Sequence, residues 1–289
     1  NNTDVNGFAF DNVATLTGGT GVDTFNITAN NTDVLTASGG AGNDIFNVQA
    51  DSAATLSGGA DNDTFAFSGG SVAGGINGGA GTDLLNYTGT AGAVAVNLNG
   101  STATGIGTTF TTIEGVVGNG ANSQLLGLNA ANTWTIGTDI NNTDVNGFAF
   151  DNVATLTGGT GVDTFSITAN NTDVLTAGGG AGNDIFNVQA DSAATLSGGA
   201  GTDTFAFSGG TLAGGVDGGA DADLLNYAGA PGAVAVNLNG STATGIGTTF
   251  TAVEGMLGNG ANSQLLGLNA GNTWTIGTDI NNTDVNGFA

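Results

Sequence analysis

The sequence contains no lysine, arginine or histidine, so its 24 acidic side chains have no cationic side chain to pair with. This absence excludes salt bridges between side chains. It also argues against nucleic acid as a partner, because phosphate binding requires lysine or arginine. A formal charge of −24 points instead to solubility or to bound cations, and not to anionic membranes.

Cysteine is absent as well, and proline occurs once. Disulfides are therefore excluded, and a secreted chain of this kind needs another way to stabilise its fold. Without histidine, cysteine or lysine, the usual nucleophilic triads, Schiff bases and zinc ligands are missing. No apolar run approaches the roughly 18 residues of a membrane-spanning segment, so membrane insertion is not expected.

Glycine is abundant instead, with 55 of 289 residues, and it is organised in repeats. The motif NNTDVNGFA occurs at positions 1, 141 and 281. It therefore predicts a first repeat at residues 1–140, a second at 141–280 and the start of a third at 281–289. Because stacked repeats bury faces that a single repeat leaves open, we expect them to form one continuous rod.

A shorter period lies inside each repeat. Glycine-rich loops recur about every twenty residues, and an aspartate closes each of them, at Asp23, Asp44, Asp63 and Asp83 in the first repeat. The same stride passes through Thr104, Ser123 and Asp144 before it reaches Asp163. The sequence therefore predicts seven coils per repeat, and Thr104 and Ser123 mark two coils that have lost the acid.

Apolar residues alternate after each loop, as in Phe25 and Ile27 or Phe46 and Val48, and a second short apolar run precedes the next loop. Such strand–turn–strand–turn segments leave no stretch long enough for a helix. We therefore predict an all-β fold, a β-solenoid of the parallel β-roll type. Its core should consist of columns of Phe, Leu, Ile and Val.

The glycine-aspartate loops suggest a cation site. Glycine permits a tight turn whose carbonyl groups point to one side, and the aspartate adds a carboxylate beside them. Oxygen ligands of this kind suit a hard cation, specifically calcium. Stacked coils would place the aspartates about 4.8 Å apart, where two charges repel by roughly 3 kcal/mol at an effective dielectric constant near 20. Only protonation or a bound cation can relieve that repulsion here, so we expect calcium between the loops.

The loops GGTGVDTFN (18–26) and GGAGNDIFN (39–47), with copies beginning at 158 and 179, resemble the calcium-binding nonapeptide of the RTX (repeats-in-toxin) family. The tract from 109 to 136 also looks like segments of very large bacterial surface repeat proteins. The RTX resemblance implies a parallel β-roll in which loop aspartates and backbone carbonyls hold calcium between successive loops. The implied ligands are the side chains of Asp23, Asp44, Asp63, Asp83, Asp163, Asp184, Asp203 and Asp223. Asp144 is a further candidate, because its loop NNTD keeps the acid although Asn142 stands where glycine is usual. The implied loop residues are Gly18, Thr20, Gly39, Ala41, Gly58, Ala60, Gly78, Ala80, Gly158, Thr160, Gly179, Ala181, Gly198, Ala200, Gly218 and Ala220.

The chain departs from that family in carrying one motif per coil where RTX rolls carry two, which predicts a single row of calcium. Asp33 and Asp51 lie in the opposite turns and are expected to be solvated. Asp61 and Asp221 replace the third glycine of their loops, and the sequence leaves open whether they are additional ligands.

The favoured function is a structural, extracellular rod or filament, such as a surface fibre or adhesin stalk. Its expected partners are calcium and further copies of the same repeat, and calcium-dependent folding suits export because calcium is scarce in the cytosol.

No enzyme activity is expected, since the only glutamates, Glu114 and Glu254, are interpreted as strand-edge residues. The alternatives are the calcium-folded repeat region of a secreted enzyme or toxin, and an ice-binding surface. The ice-binding alternative is weakened because alanine interrupts the row that Thr20 begins. Trp134 and Trp274 are expected in the core or at the end of a column.

Overall fold

The structure is a computed structural model that describes residues 4–5, 8–9, 13–139, 143–260, 263–275, 284–285 and 287–289. These residues form strands, turns and bends and contain no helix, so the predicted all-β class is confirmed. In this part of the chain there is accordingly no apolar helix of membrane-spanning length. The chain divides into two compact units, Asn1–Ser123 and Gln124–Ala289, which are described separately. The repeat boundary at residue 140 lies inside the second unit.

The first unit is built from short strands that alternate between two parallel sheets. They are β1 (Asp4–Val5), β2 (Phe8–Ala9), β3 (Thr15–Gly19), β4 (Thr24–Ile27), β5 (Thr36–Ala41), β6 (Ile45–Val48), β7 (Thr55–Ala60), β8 (Thr64–Phe67), β9 (Ile76–Ala80), β10 (Leu84–Asn86), β11 (Val94–Asn97), β12 (Thr102–Ala103), β13 (Phe110–Thr111) and the beginning of β14 (Gly115–Leu126).

One sheet of the first unit has the order β3-β5-β7-β9-β13, and the other has the order β4-β6-β8-β10-β14. Every pairing in these two sheets is parallel, and each coil contributes one strand to each sheet. A third line of parallel bridges joins Asn31, Ser52, Val72 and Ile106. Equivalent residues of successive coils therefore lie directly over one another, which is the arrangement of a β-solenoid.

The core of the first unit consists of side chains that stack on their own counterparts. The rings of Phe25 and Phe46 are 4.7 Å apart, those of Phe46 and Phe65 are 4.9 Å apart, and both pairs are nearly parallel. Phe67 and Tyr87 form a second stack at 5.0 Å. The predicted columns follow from the period-2 alternation, because it turns the same face of each strand inward.

The second unit repeats this architecture. Its strands are the end of β14, β15 (Thr133–Ile136), β16 (Asp144–Val145), β17 (Phe148–Gly159), β18 (Thr164–Ile167), β19 (Thr176–Ala181), β20 (Ile185–Val188), β21 (Thr195–Ala200), β22 (Thr204–Phe207), β23 (Val216–Ala220), β24 (Leu224–Asn226), β25 (Val234–Asn237), β26 (Thr242–Ala243), β27 (Phe250–Thr251), β28 (Gly255–Leu257), β29 (Ser263–Leu266), β30 (Trp274–Thr275) and β31 (Asp284–Val285). The parallel orders are β17-β19-β21-β23-β27 and β15-β18-β20-β22-β24-β28.

An aromatic column also runs through the second unit. Trp134 stacks on Phe165 at 5.1 Å, and the column continues through Phe186 and Phe205 at 4.9 Å per step. Trp134 is completely buried, so its expected place in the core is confirmed. Its counterpart Trp274 is 49% exposed.

The twenty-residue stride is not kept after Asp83. β10 pairs in parallel with the start of β14, which places Glu114 in register with Asp83. The additional residues of this longer coil include the antiparallel hairpin β11–β12. The expectation that Thr104 and Ser123 mark two further coils of about twenty residues is therefore wrong, and with it the predicted number of seven coils per repeat. Thr104 lies beside the hairpin, where its Oγ1 accepts the Ala95 N–H, and Ser123 lies within β14.

The first testable prediction concerns the aromatic column. Phe186 is 1% exposed and is stacked on both faces, so Phe186→Ala removes packing on two coils at once. We expect a loss of about 3–5 kcal/mol in the free energy of unfolding, measured by urea denaturation followed by circular dichroism. Val174→Ala is the control, because Val174 is 82% exposed. Equal stability of the two variants would contradict the stacked core.

Candidate metal centre

The loop glycines direct the aspartates into the interior. Gly40, the second glycine of its loop, has φ +108°, and a Cβ at this position would collide with the Gly19 carbonyl of the preceding coil. Glycine therefore allows both the left-handed backbone and the close approach of the two loops. The turn that follows places Asp44 inside the coil, where its side chain is completely buried.

We call Asp23, Asp44, Asp63, Asp83, Asp163, Asp184, Asp203 and Asp223 the column aspartates. In all of them except Asp23, one carboxylate oxygen accepts a backbone N–H of the neighbouring coil. In the first unit, the Asp23 N–H donates to Asp44 Oδ1, the Asp44 N–H to Asp63 Oδ1 and the Asp63 N–H to Asp83 Oδ1, each at 2.7 Å. The second unit has the same bonds between Asp163, Asp184, Asp203 and Asp223. These charge-assisted bonds hold successive loops in register.

The other carboxylate oxygen has no such role. Among the described residues, seven column aspartates have a buried Oδ2 atom without a hydrogen-bond partner: Asp44, Asp63, Asp83, Asp163, Asp184, Asp203 and Asp223. A buried charge without a partner is costly, because it has lost its hydration and gained nothing in exchange. These oxygens therefore require either a proton or a cation.

Each of these oxygens shares its space with a backbone carbonyl. A Cβ added to Gly39 would collide with Asp44 Oδ2 and would lie 2.7 Å from the Gly58 carbonyl oxygen of the next coil. The same pairing of carboxylate and carbonyl surrounds Gly18, Gly58, Gly158, Gly179 and Gly198. Two hydrogen-bond acceptors thus line one small space, and neither of them can donate a proton to the other when the aspartate is ionised.

In the loop of Asn132, a hydrogen-bond donor occupies the space between the side chain and the carbonyl of the next coil. Asn132 occupies a loop of the same kind, and its side-chain Nδ2 lies 2.9 Å from the Gly158 carbonyl of the next coil. The same nitrogen lies 3.0 Å from the Leu128 carbonyl, 2.9 Å from the Ala130 carbonyl and 2.6 Å from Asp163 Oδ1. Four oxygens therefore converge on one donor, at a position where the aspartate loops present another acceptor.

This loop was not among those predicted from the sequence. The segment GLNAANTW (127–134) has the spacing of GGTGVDTF (18–25), since Asn132 follows Gly127 by five positions as Asp23 follows Gly18. Of these eight positions, only the first glycine, the threonine and the final aromatic position are preserved, and the assumed stride through Ser123 passed over the match. Asn272 repeats the arrangement, and its Nδ2 donates to the Leu268 and Ala270 carbonyls.

Two glutamates extend the columns. The Asp83 N–H donates to Glu114 Oε2 at 2.8 Å, and the Asp223 N–H donates to Glu254 Oε2 at 2.9 Å. Both glutamates therefore accept the bond that an aspartate accepts in the preceding coils. They were expected only as strand-edge residues, and their place in the columns emerges from the parallel pairing of β10 with β14 and of β24 with β28.

The remaining predicted ligands have different surroundings. Asp144 lies in β16, outside the column, and its Oδ1 accepts the Gly147 N–H at 3.0 Å. Asp23 is only partly buried. The third-position carbonyls of Ala60 and Ala200 accept backbone N–H groups of adjacent loops. The first-position carbonyls, such as that of Gly58, are the ones that lie near a carboxylate.

Other acidic residues lie on the surface. Asp33 and Asp51 are exposed, as expected for solvated turn residues. Asp61 and Asp221 adopt positive φ angles of 75° and 77° at the third-glycine position, a region that aspartate tolerates better than most residues. Asp61 Oδ2 accepts the Gly42 N–H at 3.1 Å, so it is engaged within the loop stack.

Burial changes the acidity of the column. Desolvation raises the pKa of Asp63, Asp184 and Asp203 from 3.8 to about 6, although a backbone N–H donor lowers each value and neighbouring column aspartates raise it further. Desolvation also raises the pKa of Asp83, Asp163 and Asp223. At neutral pH Asp63, Asp184 and Asp203 are therefore mostly ionised, at a cost to the fold.

Within the described ranges, no point gathers three or more acidic side chains. A cation held by this column would therefore depend on backbone carbonyls beside each carboxylate. Comparisons with protein-family models, with curated proteins and with solved structures found no match to this chain. The resemblance to RTX repeats accordingly stays a prediction based on the loop motifs.

The second testable prediction concerns pH. An aspartate whose folded pKa is raised stabilises the fold when protonated, and this contribution is lost as the pH rises through the folded pKa. A rise from 3.8 to about 6 corresponds to roughly 3 kcal/mol per group at neutral pH. In chelator, we expect the free energy of unfolding to be larger at pH 4 than at pH 7.5, as measured by urea denaturation.

Most folded proteins lose stability on acidification, so the predicted direction is the unusual one. Adding calcium should reduce the difference between the two pH values, because a cation can replace the proton. A calcium-free chain that is more stable at pH 7.5 than at pH 4 would show that the column aspartates are not stabilised by protonation.

Proposed function

We propose that the chain is a calcium-stabilised structural element of an extracellular rod or filament built from tandem repeats, such as a surface fibre or an adhesin stalk. The observation that carries the proposal is the column of buried Oδ2 atoms, each beside a backbone carbonyl and each without a donor. The Asn132 loop supports it, because a donor occupies the equivalent space there.

A cation suits this column better than a proton at neutral pH. With pKa values near 6, Asp63, Asp184 and Asp203 are mostly ionised there. The sequence has no lysine, arginine or histidine to offset the charge. The available ligands are carboxylate and carbonyl oxygens, which suit calcium, and the thiol and imidazole ligands of zinc are absent.

The residues that would hold calcium are the column aspartates, through Oδ2, and the first-position carbonyls of the following loops. Calcium would supply positive charge between successive loops and so remove the electrostatic cost of burying the column. Binding to the folded state alone would then stabilise the fold by mass action. Because calcium is plentiful outside cells, this dependence favours an extracellular location.

A structural role fits the repetition better than catalysis does. Seven of the eight column aspartates, all except Asp23, are buried and bonded to the backbone of a neighbouring coil, so these seven are not presented to a substrate. The repeat also copies each column aspartate of the first repeat 140 residues later, so these acids form periodic rows and not a single asymmetric cluster. Length and stiffness are properties that such repetition can provide.

The third testable prediction concerns calcium itself. Calorimetry at neutral pH should show calcium binding, and chelator should loosen or unfold the chain, as followed by circular dichroism. Magnesium should substitute poorly, because it requires a smaller and stricter octahedral shell. Asp184→Asn should bind fewer calcium ions than the wild type does.

In chelator, Asp184→Asn should be more stable than the wild type by roughly 1–3 kcal/mol, because the new amide can donate to the Gly198 carbonyl as Asn132 donates to that of Gly158. Asp51→Asn is the control, since Asp51 is exposed. Elemental analysis that finds no calcium after loading and desalting would refute the calcium proposal.

The fourth testable prediction is the converse substitution. Asn132→Asp replaces a donor by an acceptor among four oxygens, so it should lower the free energy of unfolding in chelator by at least about 1–3 kcal/mol. Calcium should restore most of this loss, and the variant should bind more calcium ions per chain than the wild type does. Asn30→Asp is the matched control, because it adds a charge at an exposed position. A loss that calcium does not reverse would argue against a cation in this space.

A further inference from the structure

The second unit contains a junction between two repeats. β15, from the last coil of the first repeat, pairs in parallel with β18, from the first coil of the second repeat, with Trp134 opposite Phe165. The two rings stack at 5.1 Å, and both side chains are at most 1% exposed. Asn132 adds two bonds, since its backbone N–H and its Nδ2 both lie 2.6 Å from Asp163 Oδ1.

The sequences that form this junction occur a second time, at the two extremities of the described chain. Residues 267–275 repeat 127–135 except for Gly271, which replaces Ala131. Residues 14–28 repeat 154–168 except for Asn26, which replaces Ser166. The chain therefore carries one further copy of each half of the junction.

These further copies are much less covered than the junction itself. Trp274 is 49% exposed and Leu266 is 58% exposed. In the first unit, Phe25 stacks on Phe46 and is only partly buried, whereas its counterpart Phe165 is 1% exposed. We call Leu265, Leu266, Asn272 and Trp274 the tail surface, and Leu16, Asp23, Phe25 and Ile27 the head surface.

We propose that the tail surface of one copy of this chain docks on the head surface of a second copy in the register of β15 and β18. Trp274 would then stack on Phe25 of the other copy, and Asn272 would face Asp23. This inference deepens the proposed filament function and rests on it, because it names the contact through which copies assemble. A second copy is the occupant that the structure favours, since the same residues already pair with one another at the buried junction.

The chemistry of the contact does not require a cation. Asn272 would place an amide against the Asp23 carboxylate, as Asn132 does against Asp163, so no two carboxylates meet there. Parallel pairing would also satisfy backbone donors and acceptors at the edge of each sheet. Because head and tail differ, each copy can use both surfaces at once, and the contact builds open chains unless it closes into a ring.

The experiment uses the 289-residue chain and two variants, Trp274→Ala and Phe25→Ala, in sedimentation velocity at increasing concentration. The wild type should form a series of oligomers. Each variant alone should associate at least about thirty-fold more weakly, because a large aromatic anchor at the centre of the contact is removed. An equimolar mixture of the two variants should form dimers and no longer species, since Trp274→Ala keeps its head and Phe25→Ala keeps its tail.

The controls separate docking from folding and from calcium binding. Val174→Ala, which removes an exposed apolar side chain elsewhere, should associate like the wild type. Both junction variants should keep the wild-type circular dichroism spectrum. If either does not, Asn272→Asp serves as the second test of the contact. This substitution preserves the shape of the side chain and adds a negative charge opposite Asp23 of the other copy. The variant should therefore no longer associate in chelator.

The outcomes are distinct. A wild-type chain that binds calcium and stays monomeric, oligomers that persist in both junction variants, or a mixture that stays monomeric would each overturn the docking proposal. Oligomers that persist in both variants would indicate lateral contacts. Association of a chain that binds no calcium would leave the docking contact standing and would overturn only the calcium part of the proposed function.

Discussion

The contact between a buried carboxylate and the backbone N–H of the neighbouring coil is the interaction on which the stacked loops depend. Oδ1 of Asp44, Asp63 and their counterparts fixes the spacing and register of the loops at each step. The geometry that secures Oδ1 also buries Oδ2, which then lies beside a carbonyl. One side chain therefore both links the coils and introduces a charge that the chain itself cannot neutralise, because it contains no basic residue.

Aspartate, asparagine and glutamate all occur in the columns, and they differ in how their buried oxygen or nitrogen atoms are paired. Aspartate supplies an acceptor on each side and needs a proton or a cation. Asn132 supplies an acceptor and a donor, so every polar atom of its amide is bonded within the protein. Glu114 reaches the Asp83 N–H from a longer coil that also accommodates the hairpin β11–β12. In the proposed calcium-bound form, a cation would therefore be needed only at the aspartate steps.

Much of the fold could be predicted from the sequence because the same spacing recurs. The alternation around Phe46 and Phe65 and the stride from Asp23 to Asp83 correctly indicated parallel coils with stacked core columns. The stride failed between Asp83 and Asp163, since antiparallel hairpins lengthen two coils: the steps from Asp83 to Glu114 and from Asn132 to Asp163 are each 31 residues. The role of Asn132 could not be predicted for the same reason, because it depends on four oxygens that only the folded chain brings around its amide.

Stacking identical coils imposes a further constraint, which is that each side chain meets its own counterpart. Phenylalanine gains from this arrangement, because ring stacks 4.9 Å apart bury apolar area on both faces. An acidic side chain loses from it, because like charges repel at that distance. A row of buried aspartates is therefore the one feature of the core that self-stacking alone does not favour. The calcium proposed between the coils would offset this repulsion at the equivalent positions of both repeats.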